Sequence, residues 1–234
     1  MNNDTANAIL SHKLLCALAG LLLTSVAEAD PIIYHNGPPS LNGGNNMGIA
    51  WQADIFKLLA KERVTGIQFW TLEAPGEYRN SISWQIRNDA SSSPGNTVFA
   101  GIDGYTGPNR MATGRTVTID AIGYTEYAYT FSITPLTLDA GDYWLNLHNG
   151  ELANLGDPND FLWSWAENSP ATVTGMESFD LGANWSGNFN HHAFAITVPE
   201  PGTLGLLALG LAAWGTIRSR MTGSNPTPLK VKPK

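Results

Sequence analysis

The chain has 234 residues, 43% hydrophobic and 14% charged, with a formal net charge of −7. Once the end segments are set aside this is one domain's worth of chain, and so little charge beside abundant Gly, Thr, Asn and Trp fits an all-β extracellular domain better than a helical cytosolic enzyme. After Glu200 there are five basic residues (Arg218, Arg220, Lys230, Lys232, Lys234) and no acid, so the body from Asp30 to Val198 is more acidic than the whole and would repel a phosphate backbone; the reading is no nucleic acid.

Residues 1–29 read as a secretory signal peptide. His12 and Lys13 flank the apolar run Leu14 to Leu23, and Ala27-Glu28-Ala29 supplies a small-x-small cleavage site that leaves Asp30 as the first mature residue. The segment before His12 carries Asp4 and is longer than a signal needs, which fits an internal start codon. The single cysteine, Cys16, leaves with this segment, so the mature body has no disulfide. Leu14-Leu15 before it are not the small residues of a lipoprotein signal.

The body, residues 30–197, opens with a Gly/Pro/Asn-rich stretch, Pro31 to Asn46, read as an irregular lead-in. Period-2 alternation follows repeatedly: Ile82, Trp84 and Ile86; Tyr127, Tyr129, Phe131 and Ile133; Tyr143, Leu145 and Leu147; Phe161, Trp163 and Trp165; His192, Phe194, Ile196 and Val198. Successive strand residues face opposite sides, so each run predicts a strand with one buried face. Turns are expected at Ala74-Pro75-Gly76, Ser93-Pro94-Gly95-Asn96, Thr106-Gly107-Pro108-Asn109, Ala140-Gly141-Asp142 and Gly156-Asp157-Pro158-Asn159. Ile55 to Arg63 has some helical spacing but is short, and it reads as strand, loop, strand. About eight to ten short strands predict an all-β, two-sheet antiparallel sandwich.

Catalytic signatures are missing: there is no Gly-x-Ser-x-Gly, no His-Glu-x-x-His and no phosphate-cradling loop. A glycosidase needs two carboxylates roughly 5–9.5 Å apart across a cleft. Glu73, Glu77, Glu151, Glu167 and Glu177 all sit in or beside turn-rich stretches and read as solvated loop acids. No cofactor is expected. Structural Ca²⁺ is the alternative, with Asp157 and Asp160 as weak oxygen ligands, although the spacing is not that of an EF-hand. His191 and His192 are adjacent, so on a strand they would point to opposite faces, one at the core edge and one exposed, and could not hold one ion together. Trp144 has the opposite parity to its apolar neighbours, Trp70 points away from Ile67 and Phe69, and Trp185 lies in a Gly/Asn loop. These three are the candidate exposed platform for a sugar, against the alternative that they pack beneath loops.

The end of the chain places three chemistries in a row. Pro199, Glu200 and Pro201 form a stiff strip in which the prolines keep the backbone out of any helix. Leu204 to Ile217 is apolar, and with Thr203 it spans about 22 Å as a helix. A bilayer core of roughly 30 Å asks for about 20 residues, so this is a marginal, transient span. Arg218 and Arg220 form the stop, with the body outside and the C-terminus in the cytoplasm. The order resembles the bacterial PEP-CTERM sorting signal, read by the membrane protease exosortase. The resemblance covers residues 198–220 and implies export through the inner membrane of a Gram-negative bacterium, cleavage near Pro-Glu-Pro, and a final place at the cell surface or in an extracellular matrix rich in exopolysaccharide. Residues 221–234 depart from that pattern, in which chains stop after the basic cluster, and read as a disordered basic tail.

A looser resemblance covers the body. The phrases Asp54-Ile55-Phe56, Val64 to Trp70, Leu138 to Leu145, Phe161 to Trp165 and Ala193 to Ile196 are similar to a domain frequent in proteins with this tail, which implies a jelly-roll-like sandwich. The combined expectation is an exported, non-enzymatic sandwich protein associated with exopolysaccharide or biofilm. The alternatives are a carbohydrate-binding module, and behind it a polysaccharide-active hydrolase or lyase.

Overall fold

The computed structural model describes residues 30–102, 109–151, 155, 161–167 and 175–199. The proposed signal cleavage site (Ala27, Ala29), Asp157 and Asp160, Glu200 and Pro201, the apolar helix and Arg218 and Arg220 lie outside these residues. Asp30–Pro199 is one compact unit.

The described residues form strands and no helix. In chain order they are β1 (Ile32–His35), β2 (Pro39–Asn46), β3 (Trp51–Leu58), β4 (Glu62–Glu73), β5 (Ile82–Asp89), β6 (Pro94–Ile102), β7 (Asn109–Ile119), β8 (Ile122–Leu138), β9 (Gly141–Asn149), β10 (Phe161–Ala166), β11 (Met176–Ser178), β12 (Ser186–Gly187) and β13 (Phe194–Thr197). Ile55 to Arg63 is strand, turn, strand, because Phe56 and Leu58 on one side and Val64 and Ile67 on the other are drawn into a common core.

The strands make two antiparallel sheets, a β-sandwich. One runs β12-β11-β3-β9-β5-β6. The other is built around β4, whose one edge carries β8 along its whole length, from Glu62 opposite Leu138 to Glu73 opposite Thr125. The other edge is shared: β13 pairs with the first half (Thr197 opposite Gly66), and β10 with the second (Trp163 opposite Thr71). β1 then pairs with β13, β2 with β10, and β7 with β8. The aromatic alternation supplies the core between the sheets. Phe69 stacks on Tyr129 with centroids 4.7 Å apart, and Phe56, Trp163 and Phe194 meet edge to face or tilted around it.

Three local expectations are corrected. The Pro31–Asn46 lead-in is ordered as β1 and β2, joined through Gly37, while Gly43 and Gly44 are packing residues rather than loop formers. Gly43 has φ +152°, and a Cβ there would come within 2.5 Å of the Trp165 ring. The turn expected at Ser93-Pro94-Gly95-Asn96 falls earlier, where Ser91 and Ser92 take φ of 59° and 68° and the Ala90 N–H donates to the Ser93 carbonyl at 2.8 Å; Pro94 already starts β6. Paired positive φ values give the twist a hairpin favours, and Asp120-Ala121 between β7 and β8 repeat the device. Finally, β9 is buried on both faces rather than one. Leu145 and Leu147 face the core, while Trp144, Asn146 and His148 are buried on the far side. There Trp51 stacks near His148 (6.5 Å), and the loop after β11 is tied to β5 by Arg87 donating to the Gly182 carbonyl.

The contact of Gly43 with Trp165 gives a first test. Gly43→Ala should lower stability by about 1–3 kcal/mol, because the new methyl meets the indole and an L-residue resists this φ. Urea unfolding followed by tryptophan fluorescence reads the loss.

Candidate functional site

The three tryptophans do not form one platform. Trp144 is wholly buried, which corrects the expectation of exposure: its indole N–H donates to Asp89 Oδ1 at 2.8 Å, and Arg87 on the next strand lies opposite it. Trp70 is half-buried on the outer face of the β4 sheet, on the other side of the sandwich. Trp185 is half-buried, with the Arg87 guanidinium 5.5 Å from its ring centroid.

The acids are also rearranged. Glu151 and Glu167 are exposed and Glu77 and Glu177 half-buried, but Glu73 is buried at the end of the core and is not a solvated loop acid. It accepts from Thr71 Oγ1 (2.7 Å), Tyr129 OH (2.7 Å) and Arg110 Nη2 (2.5 Å). The guanidinium lies between Tyr127 and Tyr78, 3.5 and 5.0 Å from their centroids. Burial, then the charge and hydrogen bond of Glu73, push the Tyr129 hydroxyl far up, so it acts as a neutral donor. The other buried glutamate, Glu126, lies opposite Leu72 with Arg115 3.6 Å away. One residue of alternation separates it from Glu73, so the two carboxylates point to opposite faces of the sheet.

Polar groups converge elsewhere, where β2, β10 and the segment Asn188–His192 meet β3. A cavity of about 370 Å³ opens there, lined by Ser40, Asn42, Trp165, Ala166, Glu167, Asn190 and His191. Beneath it lies Asp54, fully buried on the core-facing side of β3. Its Oδ1 accepts from the Ile55 N–H (2.8 Å) and His191 Nδ1 (3.0 Å), and its Oδ2 from the His192 N–H (2.5 Å) and His192 Nδ1 (3.1 Å). Burial alone would raise the Asp54 carboxyl; the hydrogen bonds and charge of His191 and His192 more than reverse that and hold it below the ordinary carboxylate range. That negative charge is felt at Tyr34, whose hydroxyl burial pushes up, with Asp54 adding to the rise.

Donor and acceptor requirements assign the protons in this network. An ionised carboxylate only accepts, so both Nδ1 atoms carry hydrogen. An indole N–H only donates, so the Asn45 atom 2.6 Å from Trp165 Nε1 must be its oxygen. His192 Nε2 lies 3.1 Å from that same oxygen. The His192 ring is stacked on Trp163 at 4.4 Å, with Nδ1 on Asp54 and Nε2 beside Asn45. The chain Trp165–Asn45–His192–Asp54–His191 fixes the indole and the cavity-lining imidazole from below.

Neither Asp54, Asn45 nor Trp165 stands out in the amino-acid sequence. Trp165 shares parity with Phe161 and Trp163 and so reads as core. The β10–β2 register slips between Ser164 and Ala166, and such an irregularity re-aims a side chain. The opposed placement expected of His191 and His192 is likewise overturned. Both are buried on one carboxylate, because they precede β13 in irregular backbone where strand alternation does not apply. Among the described residues no group of three His, Cys, Asp or Glu is placed to hold a metal ion.

Comparison with known proteins bears on the end of the chain. Residues 197–220 match the family model of the PEP-CTERM protein-sorting motif. The match begins at Thr197, the last residue of β13. Neither the curated proteins nor the solved structures give a significant match. The chain thus carries a PEP-CTERM sorting motif, which implies export, membrane anchoring and processing by exosortase.

Two outcomes follow from the buried network. Asp54→Asn turns one of two acceptor oxygens into a donor that faces two other donors and should cost about 1–3 kcal/mol in urea unfolding. Because the folded Asp54 carboxyl lies below its ordinary value of 3.8, its contribution is fully present above that value and is lost as pH falls through the folded value; the gap between wild type and Asp54→Asn should close on acidification below about pH 4. Independently, nitrogen-detected NMR should find directly bonded hydrogen on Nδ1 of both His191 and His192.

Proposed function

We propose that this is an exported, exosortase-processed protein of the cell surface or extracellular matrix, whose sandwich is a non-catalytic displayed domain associated with exopolysaccharide. The observation that carries the reading is the sorting motif beginning at Thr197, directly on the last strand. That strand lies between β1 and β4, and the Val198 N–H donates to the Pro31 carbonyl at 3.0 Å. Asp30 and Pro199, the described residues nearest the proposed signal-peptidase site and the Pro-Glu-Pro strip in the chain, therefore lie at the adjoining ends of neighbouring strands. A processed body would keep both new ends stitched to the sheet, as suits a domain that outlives its address.

The non-catalytic part of the reading is supported by the placement of the acids. Among the described residues the two buried glutamates, Glu73 and Glu126, face opposite sides of a sheet, whereas glycoside hydrolysis needs a facing pair. The acidic body favours a neutral polymer over a polyanionic one. A carbohydrate-binding role is the second reading, favoured by the cavity beside Trp165.

C-terminal mass spectrometry of the protein from its native host tests the sorting step. The mature end should fall close to Pro199-Glu200-Pro201, and inactivating the exosortase should leave the chain uncut in the membrane fraction. A mature end beyond Arg220 contradicts the reading. Recovery in the exopolysaccharide fraction of the wild-type culture tests the association separately.

A further inference from the structure

We infer that the cavity between β2, β10 and the Asn188–His192 segment is a binding site for a neutral saccharide. Its biological role rests on the exopolysaccharide association proposed above, but the chemistry of the site stands by itself. The volume of about 370 Å³ is at the small end for ligand pockets and has room for about one or two sugar rings. Its lining combines one aromatic ring, Trp165, with a hydroxyl (Ser40), two amides (Asn42 and Asn190), a carboxylate (Glu167) and an imidazole (His191). Sugars present an apolar C–H face and a rim of hydroxyls that both donate and accept. An indole stacks on the first, and amides with a carboxylate read the second.

The lining argues against other ligand classes. It contains no Lys or Arg, and Glu167 is exposed at the rim, so a phosphate or a uronic acid would meet a like charge. An apolar ligand would have to strip water from five polar side chains in return for Trp165 and the Ala166 methyl.

Preorganisation is the second argument. Trp165 is locked by its bond to Asn45 (2.6 Å) and by the bare backbone of Gly43 against its ring. His191 is held by Asp54 (3.0 Å), and Asn190 by its Nδ2 on the Asn188 carbonyl (2.9 Å). A rigid site loses little side-chain entropy when a small polar ligand binds. The buried network beneath the cavity therefore has a use beyond joining the sheets: it keeps an indole and a buried imidazole oriented in the cavity wall.

The test uses the full chain in a detergent without a sugar headgroup. Isothermal calorimetry would be run against neutral oligosaccharides of glucose, mannose and galactose, with oligogalacturonate as the anionic arm. The expected result is saturable binding of at least one neutral oligomer, weakened tenfold or more by Trp165→Ala and several-fold by Glu167→Gln, but unchanged by Trp70→Ala and Trp185→Ala. Glu167 is exposed, so its variant decides the matter if Trp165→Ala fails to fold. Absence of saturation by every neutral oligomer, tighter binding of oligogalacturonate, or full affinity in the Glu167→Gln protein together with any folded Trp165 variant overturns the proposal. Cell fractionation separates it from the broader reading. Binding in the calorimeter with no protein in the polysaccharide fraction defeats the association and leaves the site standing. Recovery of the wild-type protein in that fraction with no saturable binding in the calorimeter defeats the site and leaves the association.

Discussion

The Asp54 carboxylate is the constraint on which this sandwich turns. It projects from β3 of one sheet into the interior and is met by two histidines and a backbone N–H that lead into β13 of the other. A lone buried carboxylate is costly, and four hydrogen-bond donors offset that cost. Aromatic packing can hold two sheets together in more than one relative position, since dispersion and burial are not directional. A saturated carboxylate tolerates far less sliding. In this protein it ties β3 of one sheet to the segment leading into β13 of the other, while the Glu73–Arg110–Tyr129 cluster sits at the end of β4.

The same constraint ties fold to site. His192 relays the fixed geometry of Asp54 to Asn45, and Asn45 to the Trp165 indole. His191 carries it to the wall of the cavity. Gly43 contributes by absence, since any side chain there would occupy the place of the ring. The cavity is thus a consequence of how β2 and β10 are joined, and its lining cannot be separated from the packing of that corner. The division of the β4 edge between β13 and β10 is what makes the corner, for it leaves the irregular segment before β13 to cross beside the end of β10.

Much of the body was legible as pattern. Alternation in Ile82–Ile86 and Tyr127–Ile133 reports strands because a strand's two faces see different solvents, and that local property needs no knowledge of partners. It failed where both faces are covered. Trp144 was expected in solvent because its parity opposes Leu145, yet the far side of β9 is covered as well. It failed also where backbone leaves the strand register, at Trp165 and at His191-His192, whose directions are set by a slip in pairing and by irregular chain. The glycines of β2 misled for a related reason: Gly usually marks a loop, but here it marks a close approach by an aromatic ring.

By itself the amino-acid sequence determined the class of fold, the acidic character of the body and the sorting motif, since all three are written in contiguous residues: alternation, composition, and a Pro-Glu-Pro strip followed by an apolar run and arginines. Only the tertiary structure decided which polar groups meet. Asp54 and His191 are 137 positions apart, and Asn45 and His192 are 147. No local preference encodes such a meeting; it arises when strand pairing, a register slip and a glycine-sized gap bring distant chain to one place, where an unpaired charge would be too costly to bury.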